Sequence, residues 1–106
     1  KNLVKINGLS VYPEEIEKKI KKNFSYNNFV ITGTKNLLGG EKLIMFVENF
    51  SKLNLSKLNK FLNSKLEKFE IPEKIINLKK FPKTNLGKIN LSEIKKYEIW
   101  QSNKKS

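Results

Sequence analysis

The chain contains no arginine, aspartate, histidine, cysteine or alanine. For a protein of 106 residues those absences remove much of the usual chemistry. Without cysteine there is no disulfide framework, and without cysteine and histidine no zinc site of the common kind, so no metal site is expected. Neither a Ser-His-Asp nor a Cys-His triad can be assembled from this chain alone. An EF-hand loop would lack its aspartates, and no apolar run approaches the about 20 residues of a membrane-spanning helix. Lys1 opens the chain with no signal-peptide pattern behind it, which reads as a piece of something longer or as a start that has been removed.

What is present is lopsided. Twenty-two lysines face ten glutamates, for a formal net charge of +12. Such a charge invites a nucleic-acid or anionic-membrane reading. The composition argues for a blander origin, because abundant lysine, asparagine and isoleucine with no arginine or alanine is what an AT-rich coding sequence gives. Phosphate-reading surfaces recruit arginine for its bidentate fork, and here the lysines are scattered without the interleaved aromatics of a single-strand platform. Nucleic acid is therefore not the expected partner. With 38% apolar residues the chain can bury one small core and has no room for a second domain.

Leu3-Val4-Lys5-Ile6 alternates apolar and polar, Asn7-Gly8 is a two-residue turn signal, and Leu9-Ser10-Val11 returns, so residues 3–11 read as a hairpin. Pro13 suits a first helical position, with Glu14, Glu15 and Glu17 early, lysines late, and Ile16, Ile20 and Phe24 as one stripe. Phe29-Val30-Ile31-Thr32, closed by Gly33, predicts a strand; the near-continuous Lys42–Val47 run predicts another, buried on both faces. Leu37 to Gly40 reads as the turn between them. Asn54 or Ser56 is expected to cap a helix carrying Leu58, Phe61, Leu62, Leu66 and Phe69, stopped by Pro72. A third strand at residues 74–78, a polar loop from Lys83 to Lys88, a helix capped by Asn90 and running through Ile94 and Tyr97 towards Trp100, and a frayed tail at 101–106 complete the chain. The expected fold is α+β: a small three-stranded sheet with packed helices plus an N-terminal two-stranded hairpin.

Few segments offer chemistry. The glutamates at 14, 15 and 17 read as helix N-terminal charge rather than a metal or acid–base cluster. The lysine-rich helix over 56–69 reads as a core-packed helix with a solvated face, not a membrane-surface helix. Gly39-Gly40 serves as a turn. The loop Phe81-Pro82-Lys83-Thr84-Asn85-Leu86-Gly87-Lys88 stands apart, because it places a lysine directly after a glycine between a strand and a helix. It is not a P-loop: the leading glycine is missing, and Ile89 stands where Ser or Thr would hold magnesium. A flexible ammonium on such a loop can nonetheless reach a neighbouring site and neutralise developing oxyanion charge.

The segment from Lys5 to Glu17, KINGLSVYPEEIE, resembles the hairpin–helix signature opening the C-terminal domain of adenylate-forming enzymes. These are AMP-forming acyl-CoA synthetases, peptide-synthetase adenylation domains and luciferase. Pro82, Thr84, Gly87 and Lys88 match the P-x-T-x-x-G-K at the end of that domain. Gly40-Glu41 and Phe69-Glu70-Ile71-Pro72 also resemble family landmarks, so the resemblance spans nearly the whole chain. The short segment from Gly33 to Gly40 hints at a compact member such as an o-succinylbenzoate–CoA ligase.

The resemblance implies a lid domain over residues 1–100, hinged at Lys1, in a cytoplasmic ligase that activates a carboxylic acid with ATP and Mg2+ and passes the acyl group to CoA or a pantetheine thiol. It implies that Lys88 acts in adenylate formation, that Thr84 and Gly87 support its loop, and that Gly8 and Lys5 face the thiol path. It implies too that the chain's own N-terminal domain holds the ATP, and that these 106 residues alone give no turnover. Two positions depart from the family pattern: Leu91 where a basic residue often stands, and Ser10 where arginine often does. A lid that loads a carrier protein is the alternative within the family, and a basic nucleic-acid-binding module the alternative outside it.

Overall fold

The structure is a computed structural model and describes residues 3–25, 28–35 and 37–97. The expected hinge at Lys1, the helix end at Trp100 and the tail at 101–106 lie outside the described residues.

Strands β1 (Val4–Ile6) and β2 (Leu9–Val11) form an antiparallel hairpin with Val4 opposite Val11. Asn7 and Gly8 both take positive φ, 51° and 84°, the turn whose twist matches the flanking strands. Helix α1 (Pro13–Lys21) follows with Pro13 at its start and buries Pro13, Ile16 and Ile20. β3 (Phe29–Lys35) and β4 (Glu41–Glu48) pair antiparallel, and β5 (Lys74–Leu78) returns parallel to β4 after the crossover helix α2 (Lys52–Lys65). A short 3-10 turn spans Lys68–Glu70. Residues 91–97 form α3, capped by Asn90, whose side-chain Oδ1 accepts from the Glu93 amide at 3.2 Å. The sheet order is β3-β4-β5, so the α+β expectation holds, with three helices, a three-stranded sheet and the separate hairpin among the described residues.

Burial explains why the central strand reads as an unbroken apolar run. Leu43, Met45 and Val47 point to one face, into a core shared with the hairpin, α1 and α2. Ile44 and Phe46 point to the other, into a core with Ile76, Leu78, Phe81 and Ile94 of α3. Successive side chains alternate across the sheet, and both faces are covered.

Three local expectations are corrected. β3 does not close at Gly33 but continues through it to Lys35, because the hairpin lies against that residue: a Cβ there would sit 2.6 Å from Cγ2 of Val4. Glycine here answers a close approach. The cap of α2 is neither Asn54 nor Ser56 but Ser51, whose hydroxyl accepts from the Asn54 amide at 3.1 Å. The helix also ends at Lys65, and Phe69 belongs to the 3-10 turn, where Glu67 and Glu70 cap reciprocally.

Candidate functional site

The lysine loop is built from its roots inward. Phe81 is buried in the α3-side core, and its amide donates to Oε2 of Glu48 at 2.7 Å. The other oxygen of Glu48 takes Nδ2 of Asn28 at 2.6 Å. Those two hydrogen bonds, with the Asn28 amide foremost, hold the Glu48 carboxyl below its usual range. At the far root the Asn90 amide donates to the Pro82 carbonyl at 2.9 Å while its side chain caps α3.

Between the roots the loop is a small ladder rather than a floppy tether. Lys83 and Ile89 bridge antiparallel. Thr84 holds the tip through all three of its polar groups. Its N–H donates to the Lys88 carbonyl at 2.7 Å, its carbonyl accepts from the Gly87 amide at 2.9 Å, and Oγ1 accepts from the Lys88 amide at 3.2 Å. Gly87 sits at φ 85°, where an L side chain is strained although open space surrounds the site. The ladder projects Lys88 and, 87% exposed, Leu86 into solvent. Among the described residues the Lys88 ammonium enters no ion pair.

The hairpin carries the second set. Ile6 and Leu9 flank the two-residue turn and form its hydrogen-bonded pair, so Lys5 and Ser10 are the next pair out, the kind whose side chains lie closer. Nζ of Lys5 accordingly donates to Oγ of Ser10 at 3.0 Å. The Lys5 amide points away from β2 and donates to Oε1 of Glu41 at 2.7 Å. Gly8 is exposed at the tip and crowded by nothing among the described residues, so its glycine answers the positive φ.

Structure thus gathers Thr84, Gly87 and Lys88 in one place and Lys5 and Gly8 in another, without bringing the two together. The hairpin packs on the core beneath α1 and α2; the loop is rooted in the core beneath α3. A cleft of about 480 Å³ opens along the β3 edge between them, lined by residues that include Val4, Glu17, Ile31, Glu41 and Leu91. It includes none of the five candidates.

Of the early glutamates, Glu17 reaches the sheet: its Oε2 accepts from the Ile31 amide on the open edge of β3 at 2.8 Å. Burial raises its pKa above the ordinary 4.5, against the lowering effect of that hydrogen bond. No group of three acidic side chains among the described residues is placed to hold a metal. Sequence reasoning missed the anchoring carboxylates Glu41 and Glu48, whose partners lie 36 and 33 residues away. The available signals were that Glu41 and Glu48 bracket the buried strand and that Gly40-Glu41 resembles a family landmark, neither of which names a partner.

No protein-family model matches the chain. A long-chain-fatty-acid–CoA ligase of Haemophilus influenzae is 29% identical over 100 residues, covering 93% of this chain and 18% of that protein. A 2-succinylbenzoate–CoA ligase of Lactococcus lactis is 28% identical over 95 residues, 90% of this chain and 21% of the relative. Bacitracin synthase 2 of Bacillus licheniformis is 29% identical over 87 residues, 82% of this chain and 3% of the relative. Among solved structures, an AMP-forming acyl-CoA synthetase-like protein of Dyadobacter fermentans superposes with a TM-score of 0.79 at 24% identity, over 87% of this chain and 28% of that one. The chain therefore spans about a fifth of the length of the two curated CoA ligases.

Proposed function

Starting from a chain whose sequence and fold match the C-terminal domain of the adenylate-forming superfamily, we propose that residues 1–100 form the lid of an AMP-forming acid–CoA ligase. The larger preceding domain would hold ATP, its Mg2+ and the carboxylic acid. In the first half-reaction a carboxylate oxygen attacks the α-phosphorus and the bond to pyrophosphate breaks. Two anionic groups meet in that step, and the Lys88 ammonium lowers their repulsion most where charge is greatest, in the transition state. Thr84 and Gly87 fix the backbone from which Lys88 extends. In the second half-reaction a CoA thiol, as thiolate, attacks the acyl carbon and AMP leaves. Gly8 and Lys5 flank the thiol's approach on the hairpin, and Lys1 is the hinge about which the lid turns.

The observation that carries this reading is the rooting of the two candidate sets in opposite cores of one sheet. A domain with one reacting face has no use for two preformed sites on separate layers, whereas a lid that serves two successive steps does. The variation within the same reading is a lid that loads a carrier protein, in which a carrier-tethered pantetheine arm replaces CoA as acceptor. Both variations share Lys88 and the first half-reaction.

The test is acid-dependent ATP–pyrophosphate exchange by the full-length protein across a panel of carboxylic acids, with and without Lys88→Ala. Exchange that appears with one acid class and falls by about 10²-fold or more in the variant supports the assignment. Equal rates in variant and parent remove Lys88 from the mechanism. Adding CoA or a pantetheinylated carrier to the loaded adenylate then separates the two acceptors.

A further inference from the structure

The hairpin is held to the domain by more than its own two strands. Val4 and Val11 bury in the core beneath α1 and α2, and Val4 packs against Gly33 of β3. A polar tether joins it to the central strand: the Lys5 amide to Oε1 of Glu41, the first residue of β4, at 2.7 Å. That bond has a specific geometric cause. As the non-hydrogen-bonded partner of Ser10, Lys5 turns its N–H out of the hairpin's free edge, where β2 cannot satisfy it. Glu41 shares the parity of Leu43, Met45 and Val47, so its carboxylate emerges on the hairpin's side of the sheet. Lys5 is consequently gripped twice, at its amide by Glu41 and at its ammonium by Ser10 at 3.0 Å.

We propose that Glu41 is a positioning residue for the thiol-transfer step: it pins the hairpin at Lys5, and so fixes where the Gly8 turn and the Lys5 ammonium stand relative to an incoming thiol. The inference rests on the ligase reading above. Glu41 touches neither reactant. Its effect passes through the backbone of Lys5, and it leaves the lysine loop, rooted in the opposite core, untouched.

The experiment compares Glu41→Ala and Glu41→Gln in the full-length protein by three readouts: pyrophosphate exchange, thioester formation from preformed acyl-adenylate, and hydrogen exchange at the Lys5 amide. Glu41→Ala is expected to lower kcat/KM for the thiol about tenfold, as suits loss of one hydrogen bond to a charged acceptor. Exchange at the Lys5 amide should quicken while pyrophosphate exchange stays within about twofold of the parent. Glu41→Gln keeps an oxygen acceptor at the same reach and should recover most of the thiol rate. Unchanged thioester formation in Glu41→Ala overturns the proposal, and so does an equal fall in both half-reactions, which marks a merely structural residue. A parent protein that adenylates no acid overturns the ligase reading itself, and with it any thiol-transfer role. In that case quickened Lys5 exchange in Glu41→Ala still establishes the tether.

Discussion

Replacing Gly87 with alanine tests whether the lysine loop works because its shape is set in advance. Gly87 lies at φ 85°, and its amide closes the turn by donating to the Thr84 carbonyl at 2.9 Å. A Cβ there meets nothing within 4 Å, so the added methyl costs nothing through collision. The whole penalty is conformational, about 1–2 kcal/mol for an L residue held in the left-handed region. Because the loop from Lys83 to Lys88 is exposed, it can relieve that strain by opening rather than by unfolding the domain. An opening equilibrium shifted by 1–2 kcal/mol changes the closed-to-open ratio about five- to thirtyfold, so where the two forms compete evenly the closed population falls about three- to fifteenfold. The expected result is a fall of that order, or less if the parent loop is very stable, in acid-dependent pyrophosphate exchange by the full-length protein. Thermal stability and thioester formation from preformed adenylate should stay at parental values. Gly87→Asn, which tolerates positive φ better, should lose less. Parental exchange rates in Gly87→Ala would show that the turn's shape contributes nothing, and a matching loss in both half-reactions would refute the separation of the two sites.

Two further predictions concern the frame that holds those sites. Gly33→Ala puts a Cβ 2.6 Å from Cγ2 of Val4, so the hairpin must shift; a loss of about 1–3 kcal/mol is expected in denaturant unfolding. Pairing it with Val4→Ala should cost less than the two single changes added together, and strict additivity would disprove the contact. Glu48 has a folded-state pKa below its ordinary 4.5, so its contribution to stability is present above that value and is lost as pH falls through the lowered folded value. Glu48→Gln should therefore flatten the stability profile in that acid window, and a profile parallel to the parent's would remove Glu48 from the acid response.

Much of the frame was legible because its causes are local. Asn7-Gly8 specifies a tight hairpin turn through positive φ at both positions, and Pro13 followed by the Ile16–Ile20 stripe specifies α1. The run from Leu43 to Val47 signals a strand buried on both faces, and its alternate residues divide between the two cores. Some errors arose where a distant contact decides, others where a local cap lies outside the periodic stretch. Gly33 punctuates a strand when read alone, but with Val4 seated on it the strand runs on. Ser51 lies ahead of the apolar periodicity that marks α2, which drew the expected cap inward to Asn54 or Ser56. The P-x-T-x-x-G-K spacing pointed to Lys88, yet the threefold use of Thr84 has no periodic signature in sequence.

The two anchoring carboxylates turn these separate observations into one constraint. Glu41 opens β4 and takes the hairpin amide of Lys5; Glu48 closes the same strand and takes the loop-root amide of Phe81. Seven positions separate them, an odd number, so a strand of period two sends their side chains to opposite faces. At about 3.3 Å per residue their backbones stand roughly 23 Å apart. A single strand, with Leu43 to Val47 buried between its ends, thereby ties the hairpin at one end and the Phe81 root of the lysine loop at the other, on opposite faces, while the loop's far root at Ile89 and Leu91 lines the same cleft as Val4 and Glu41. The two candidate sets are tied to that strand through different backbone groups, the Lys5 amide and the Phe81 amide, on opposite faces of the sheet. If both serve one reaction centre, the domain must turn as a body between the two steps, and that movement has to be absorbed where the domain joins its neighbour rather than within the sheet.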